Sequence, residues 1–330
     1  LLNENPKYIG FPRKIAFFFI SSLFLNSFLS KILSDNLVKD KYVRKASPLS
    51  FISSFLVVLF AAFNALSSEQ EQKIKAETLL AHSSFDDIRK RGVLRVAMHK
   101  KDHPPFFMVD EKGELIGVDV EIAKEIAKQL DLSLEINRDA ETFDEVVNRV
   151  SKGLSDIAVS KLSMTLTRAQ NVRYTKPYSS LSKSVLLNRV RLLKFGEGTS
   201  IEQIFNNKEA IIGVLSGSSY EDFAKRLFSD AKLYGRSDWT EDIVPKVVTG
   251  EVWGAFRDEL EVRRTMFLYK DASYHLLAIN LKDEQDPIMM VVHKDAAMFQ
   301  NWLDLYLSYV HRREDIKDSI KRFEKYVYKK

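Results

Sequence analysis

Between Asp156 and Tyr178 the chain reads DIAVSKLSMTLTRAQNVRYTKPY, a stretch that collects hydroxyls, backbone N–H groups and one guanidinium. Ile157, Ala158 and Val159 make a short apolar run after the turn-like Lys152–Ser155, so a strand leads in. Thr165 is placed to cap a helix whose first turn carries Thr167 and Arg168. The carboxyl end of a strand is where open α/β sheets bind ligands. A guanidinium there offers paired donors that fit a carboxylate bidentately. Ser160, Lys161 and Ser163 add polar atoms beside it. The plainer alternative is a solvated Arg168 with the serines as ordinary caps.

A second unit repeats the pattern. Ala210–Leu215 (AIIGVL) reads as a buried strand, Ser216-Gly217-Ser218-Ser219 follows, and Tyr220–Phe228 reads as a helix. N–H groups and hydroxyls at a helix start make a ready anion site; a merely capped helix competes with that reading. Asp258 stands between the strand Val252–Arg257 and a helix over Asp258–Met266, where it either caps the helix or faces a ligand ammonium.

The elements that must position these residues alternate along the chain. Val93–Met98 alternates like a strand, and His99–Pro105 is a loop with two prolines. Phe106–Val109 and Leu115–Ile116 flank a hairpin-like turn, and Val118–Leu130 carries a helical apolar stripe. Leu132–Ile136 reads as a strand, then Phe143–Lys152 as a helix with Val146, Val147 and Val150 inward. Ser184–Val190 reads as a crossing strand, Asp242–Thr249 as a helix and Ile288–Val292 as a strand. Helices over Asp295–Tyr328 offer Trp302, Leu305, Leu307 and Val310 to the core. Such alternation predicts an α/β fold with a largely parallel core.

Length and composition narrow the function. The 330 residues suffice for about two domains, and 45% hydrophobic content can bury a core. The net charge of +5 is spread over 50 basic and 45 acidic residues, with no basic stripe, so nucleic acid is not an expected partner. There is no cysteine, which excludes disulfides, thiolate metal sites and a cysteine nucleophile. The six histidines show no metal-ligand spacing, so neither metal nor cofactor is expected.

The first 67 residues differ from the rest. Ile15–Leu29 is apolar, and Phe51–Phe63 follows a basic stretch and precedes Ala65-Leu66-Ser67, a small-x-small cleavage pattern. A secretory signal is the favoured reading, with an uncleaved anchor as the alternative. No methionine precedes Met98, so either the start is a non-methionine codon or the sequence begins upstream of the true start; initiation near Leu37 or Val38 would leave a signal of ordinary length, with the part before it untranslated. Residues 68–91 read as a linker with a short helix.

Taken in order, these pieces resemble the extracellular solute-binding proteins of family 3, the polar amino-acid type that serves ATP-driven (ABC) importers. The resemblance covers about Gly92–Lys330. It rests on Gly92–Val96, Glu114–Lys124 (ELIGVDVEIAK), Phe143 with Gly153 and Asp156, Ser160–Arg168 with Tyr174, Pro177 and Tyr178, Gly213–Ser219, and Gly250–Asp258. It implies a two-lobed periplasmic-binding-protein-like (type II) fold with two crossing strands as hinge. Lobe 1 would span 92–183 and lobe 2 184–285, with 286–330 returning to lobe 1. The crossings are expected near Ser182–Arg189 and Leu277–Met289.

The resemblance further implies that Arg168 grips a ligand carboxylate, helped by Ser163 and with Ser160 nearby. Ser218 and Ser219 would donate from lobe 2, Asp258 would pair with the α-ammonium, and Phe143 and His103 would wall the side-chain pocket. A monomeric, non-enzymatic binding protein is expected, periplasmic or anchored at the outer face of the inner membrane, with a membrane permease as partner. Alternatives are an amino-acid-sensing or capturing domain of a membrane-anchored protein, and a dehydratase-like enzyme on the same scaffold.

Lys161, His103 and Trp253 depart from the family pattern. Lys161 is either a solvated rim residue or a ligand contact. A desolvated lysine needs a partner. Lys161, His103 and Lys100 or Lys101 are donors or potential cations, so acidic or amide amino acids are expected over arginine and lysine. Asp102, turned inward, would reverse that order.

Overall fold

The computed structural model describes residues 84–195, 198–310 and 316–328. The apolar segments within 1–67, and the leader or anchor expected there, lie outside the described residues. The linker ends in α1 (Phe85–Arg91), which Ser84 caps at its start and Gly92, at φ 72°, closes.

The first lobe is built from β1 (Val93–His99), the hairpin β2 (Met108–Val109) and β3 (Leu115–Ile116), α2 (Val118–Gln129), β4 (Ser133–Ala140), α3 (Phe143–Ser151), β5 (Ile157–Ser163) and α4 (Leu166–Ala169). The long β6 (Val172–Asn188) then crosses over, and α5 (Arg189–Leu192) follows it. The second lobe holds α6 (Ile201–Phe205), β7 (Ile211–Leu215), α7 (Ser219–Leu227), β8 (Lys232–Arg236), a π-turn over Trp239–Ile243, α8 (Val244–Thr249), β9 (Gly254–Asp258), α9 (Glu259–Leu268) and α10 (Ala272–His275). Finally β10 (Leu276–His293) crosses back to α11 (Ala297–Tyr309), α12 (Ile316–Arg322) and α13 (Glu324–Val327).

One sheet runs through both lobes in the order β4-β1-β5-β10-β6-β9-β7-β8. It is parallel at its two ends and antiparallel in the middle, where β10 pairs with β5 and β6, and β6 pairs with β9. The ladder between the crossing strands slips: Asn280 faces Ser184 but Gln285 faces Ser182. Extra residues on one strand bend it and weaken the pairing locally. The expected lobe boundaries at 183/184 and 285/286 fall inside these two strands.

Alternation supplies the core. Ile122, Ala123 and Ile126 of α2 pack with Val96, Met98, Val159 and Phe299 in the first lobe. Ile204, Phe205, Ile212, Val214 and Phe256 form the second-lobe core. A third cluster joins Phe143, Val146 and Val150 to Leu215, Trp239 and Val262, so apolar packing spans both lobes. Two sequence expectations need correction. Val190 lies in α5, because Asn188 caps that short helix and ends the strand. In α11 the buried stripe is Phe299, Leu303, Tyr306 and Leu307, which leaves Leu305 and Val310 exposed.

Candidate ligand-binding cleft

Seven of the residues singled out in the sequence, Asp258 among them, meet in one narrow cleft of about 20 Å³, the others being Phe143, Lys161, Ser163, Arg168, Ser218 and Ser219. Tyr220, Arg257 and Asp286, which the sequence reading missed, join them. The contributing elements come from both lobes.

Thr165 caps α4 by accepting the Arg168 N–H at 3.2 Å, which sets the arginine in the first helical turn. The Arg168 side chain is 6% exposed. Its guanidinium donates to the Ser163 carbonyl at 3.2 Å and to the Gly217 carbonyl of the second lobe at 3.5 Å. A carboxylate already sits on it: Asp144 Oδ1 lies 2.8 Å from Nε and 2.7 Å from Nη2.

Lys161 is not a rim residue. Its side chain is 4% exposed, and Nζ lies 2.9 Å from Asp258 Oδ2 and 3.5 Å from Glu261 Oε1. The ammonium also stands 5.6 Å from the Phe106 ring centroid. Its backbone takes the left-handed region at φ 49°, and Asp119 accepts its N–H at 2.7 Å. The partner that a desolvated lysine needs is therefore supplied by the chain itself. Asp258 does two things at once: it holds Lys161 and, through Oδ1, accepts the Glu261 N–H at 3.2 Å to cap α9. Burial raises the Glu261 carboxyl, but Lys161, Arg257 and His103 together hold it well below the usual range.

A hydroxyl chain closes the cleft. Ser219 donates to Ser163 at 2.9 Å, and Ser163 donates to Asp286 Oδ2 at 2.8 Å. Tyr220 also donates to Oδ2, at 2.9 Å. Asp286 Oδ1 is buried with no hydrogen-bond partner among the described residues. Burial pushes this carboxyl up to about 6 against the bonds from Ser163 and Tyr220. In the sequence only its place before Pro287 and an apolar run marked Asp286. Ser218 spends its hydroxyl on the Leu215 carbonyl at 2.6 Å. Ser160 is a correction: it lines no part of the cleft, because its fully buried Oγ accepts the His99 N–H at 2.9 Å.

A larger cavity of about 130 Å³ adjoins the cleft and shares Phe143 and Arg257 with it. His103 lines this space rather than the cleft, and the rings of His99, His103 and Phe143 cluster with centroids 4.7–5.1 Å apart, His99 and His103 edge-on and Phe143 tilted to both. Burial drives His99 down to about 4 and His103 to about 3, so both imidazoles are neutral and His103 is not the cation expected. Asp102 lines the cavity too, but it pairs with Arg138 at 2.8 Å. Among the described residues no cluster of His, Asp or Glu is placed to hold a metal. No described helix is long and apolar enough to cross a membrane.

The sequence matches the profile of the bacterial extracellular solute-binding proteins, family 3, over residues 94–324. It is 26% identical over 133 residues to an arginine-binding periplasmic protein of Mannheimia haemolytica, covering 38% of this chain and 55% of that one. It is 28% identical over 244 residues to a membrane-bound lytic murein transglycosylase F of Vibrio campbellii, covering 69% of this chain and 43% of that one. The chain thus spans about half the length of the curated relatives it matches. Among solved structures, the fold is shared with the amino acid ABC transporter substrate-binding protein AbpA of Streptococcus pneumoniae bound to L-arginine. There the TM-score is 0.60 at 23% identity, covering 74% of this chain and 100% of that one.

Proposed function

We propose that this chain, which belongs to the bacterial extracellular solute-binding proteins of family 3, captures a polar amino acid between its lobes and delivers it to an ABC-type importer. The observation that carries the reading is the meeting of Arg168 and Asp258 with Ser163 and Ser219 in one inter-lobe cleft. A zwitterion needs a forked cation on one side and an anion on the other. The ligand carboxylate takes the place of Asp144, whose side chain is 53% exposed and returns to water at little cost. The ammonium competes with Lys161 for Asp258. Closure then dehydrates both contacts and strengthens them. The names of the arginine-binding relative and of the arginine-bound structure support an amino-acid ligand. In this reading the protein binds and releases without chemistry, as a monomer outside the inner membrane.

One observation favours a second reading. Transglycosylase F relatives align with 69% of this chain but 43% of their own length. That proportion suits a capturing or sensing domain of a membrane-anchored protein. Pull-down with an importer permease separates the two readings from membrane fractionation of the full chain.

The test of capture is a thermal-shift screen of the amino acids on the purified chain. A ligand at 100 times its Kd adds about 2.7 kcal/mol. At least one amino acid is expected to raise Tm in wild type and none in Arg168→Ala, with the ligand-free Tm of the variant little changed. A flat response of wild type to every amino acid would overturn the reading.

A further inference from the structure

Arg257 is the penultimate residue of β9, and its side chain is 5% exposed between the cleft and the larger cavity. Its guanidinium stands 5.4 Å from the Trp239 ring centroid. The nearest carboxylates, Asp258 at 3.8 Å and Glu261 at 4.0 Å, lie beyond hydrogen-bond reach. Among the described residues nothing accepts a hydrogen bond from it.

The carboxylates around the same cavity are in the opposite condition. Asp102 holds Arg138 at 2.8 Å, Asp238 holds Lys101 at 2.6 Å, Glu141 holds Lys100, and Glu261 holds Lys161 at 3.5 Å. Every negative wall is thus engaged within the chain, while the five-donor fork of Arg257, ion-paired only at 3.8–4.0 Å, makes no hydrogen bond among the described residues. A guanidinium with donors to spare gains from an acceptor brought within reach, so the cavity rewards an acceptor and offers a cation no free carboxylate. The walls beside Arg257 are Trp239, Phe143 and the neutral His99 and His103, which suit a short aliphatic stem.

We propose that this cavity is the distal subsite of the cleft and that Arg257 selects an amino acid ending in a carboxylate or carboxamide over a cationic one. The inference rests on amino-acid capture in the adjoining cleft and deepens it. Arg168 and Asp258 hold the α-groups, and the side chain passes Phe143 to present its acceptor to Arg257. Such a contact discriminates, because an analogue lacking the polar end desolvates the fork without giving it an acceptor.

The test is titration calorimetry of the purified chain with glutamate, glutamine, norvaline, arginine and lysine. Glutamate or glutamine is expected to bind at least about tenfold tighter than norvaline and than either cation. The split between glutamate and glutamine says whether the distal group is charged. Arg257→Met keeps an apolar stem against Trp239 and is expected to remove the preference, so that glutamate and glutamine bind no tighter than norvaline does to the same variant. Arg257→Lys, which keeps the charge without the fork, is expected to recover only part of the loss. Arginine or lysine binding tightest in wild type overturns the proposal, whatever the variants do. So does full affinity for glutamate and glutamine in Arg257→Met. Binding of all five ligands with equal affinity removes the distal subsite and leaves capture standing. Binding of none of the five overturns the proposal, and the thermal-shift screen over all the amino acids then decides whether capture stands.

Discussion

Asp144 covers Arg168 from a position half in water, and that exposure decides what its removal does. An exposed partner contributes little to a pair, about 0.5–1 kcal/mol. Asp144→Ala should therefore raise affinity for the amino acid that stabilises wild type by about two- to fivefold, because one competitor for the fork is gone. Calorimetry decides, and a weaker complex would make Asp144 a ligand contact. His103 gives a second residue-scale outcome. Burial drives it down to about 3 from an ordinary 6.5, against the pull of Glu261. Between those values the unfolded chain holds a proton that the folded chain lacks, so this residue removes stability as pH falls. Asp119 and Asp286, raised to about 7 and about 6, run the other way: the folded chain takes their protons first, and stability rises as pH falls through those values. His103→Gln should thus gain ~2 kcal/mol relative to wild type between pH 6.5 and 4.5, at a slope of up to ~1.4 kcal/mol per pH unit. Urea unfolding at the two pH values checks this; an unchanged gap between the two proteins would place a charged His103 in the folded state.

At the scale of elements, the start of α2 sets the backbone of the cleft. Gly117 precedes it at φ 126°, where a Cβ would stand 2.3 Å from the Phe106 carbonyl oxygen. That approach lets Asp119, two residues on, accept both the Lys161 N–H and the Tyr178 hydroxyl. Gly117→Ala should cost at least ~2 kcal/mol, read from chemical denaturation, and a loss within the scatter of surface substitutions would show that the turn can relax. The same region shows what the sequence made legible. Elements announced themselves through local signals: the apolar stripe of α2, the Thr165 cap, the strand–turn–helix around Ser218. Arg168 and Asp258 were legible because they stand at strand-to-helix junctions. Arg257 and Asp286 were not, because both lie inside strands whose pattern marks them only as polar interruptions. Their importance comes from what packs over them across the cleft. For Lys161 the sequence leaves rim and cleft both open, since no local rule shows that Asp258, 97 positions away, reaches its ammonium.

Among the described residues, the lobes are tied by a few polar contacts and by the buried ammonium of Lys161, which meets Asp258 and Glu261. Ser219 reaches Ser163, Arg168 reaches the Gly217 carbonyl, and Lys101 meets Asp238 at the surface. Lys161 joins full charges deep in the cleft, 2.9 Å from Asp258 and 3.5 Å from Glu261, with all three side chains under 9% exposed. The crossing strands behind them slip register between Asn280 and Gln285, which gives the lobes a place to bend. Removing one partner of a buried pair costs about 3–5 kcal/mol when the other charge stays buried. A hinged molecule has a cheaper response: it opens and lets water reach Asp258 and Glu261. Lys161→Met should therefore lose clearly less than that range in urea unfolding, and its ligand-free radius of gyration by small-angle scattering should exceed that of wild type. An amino acid whose ammonium takes over Asp258 should return the variant to the wild-type radius. A full loss of stability with an unchanged radius would mean that apolar packing around Phe143 and Trp239, rather than the ion pair, keeps the lobes together.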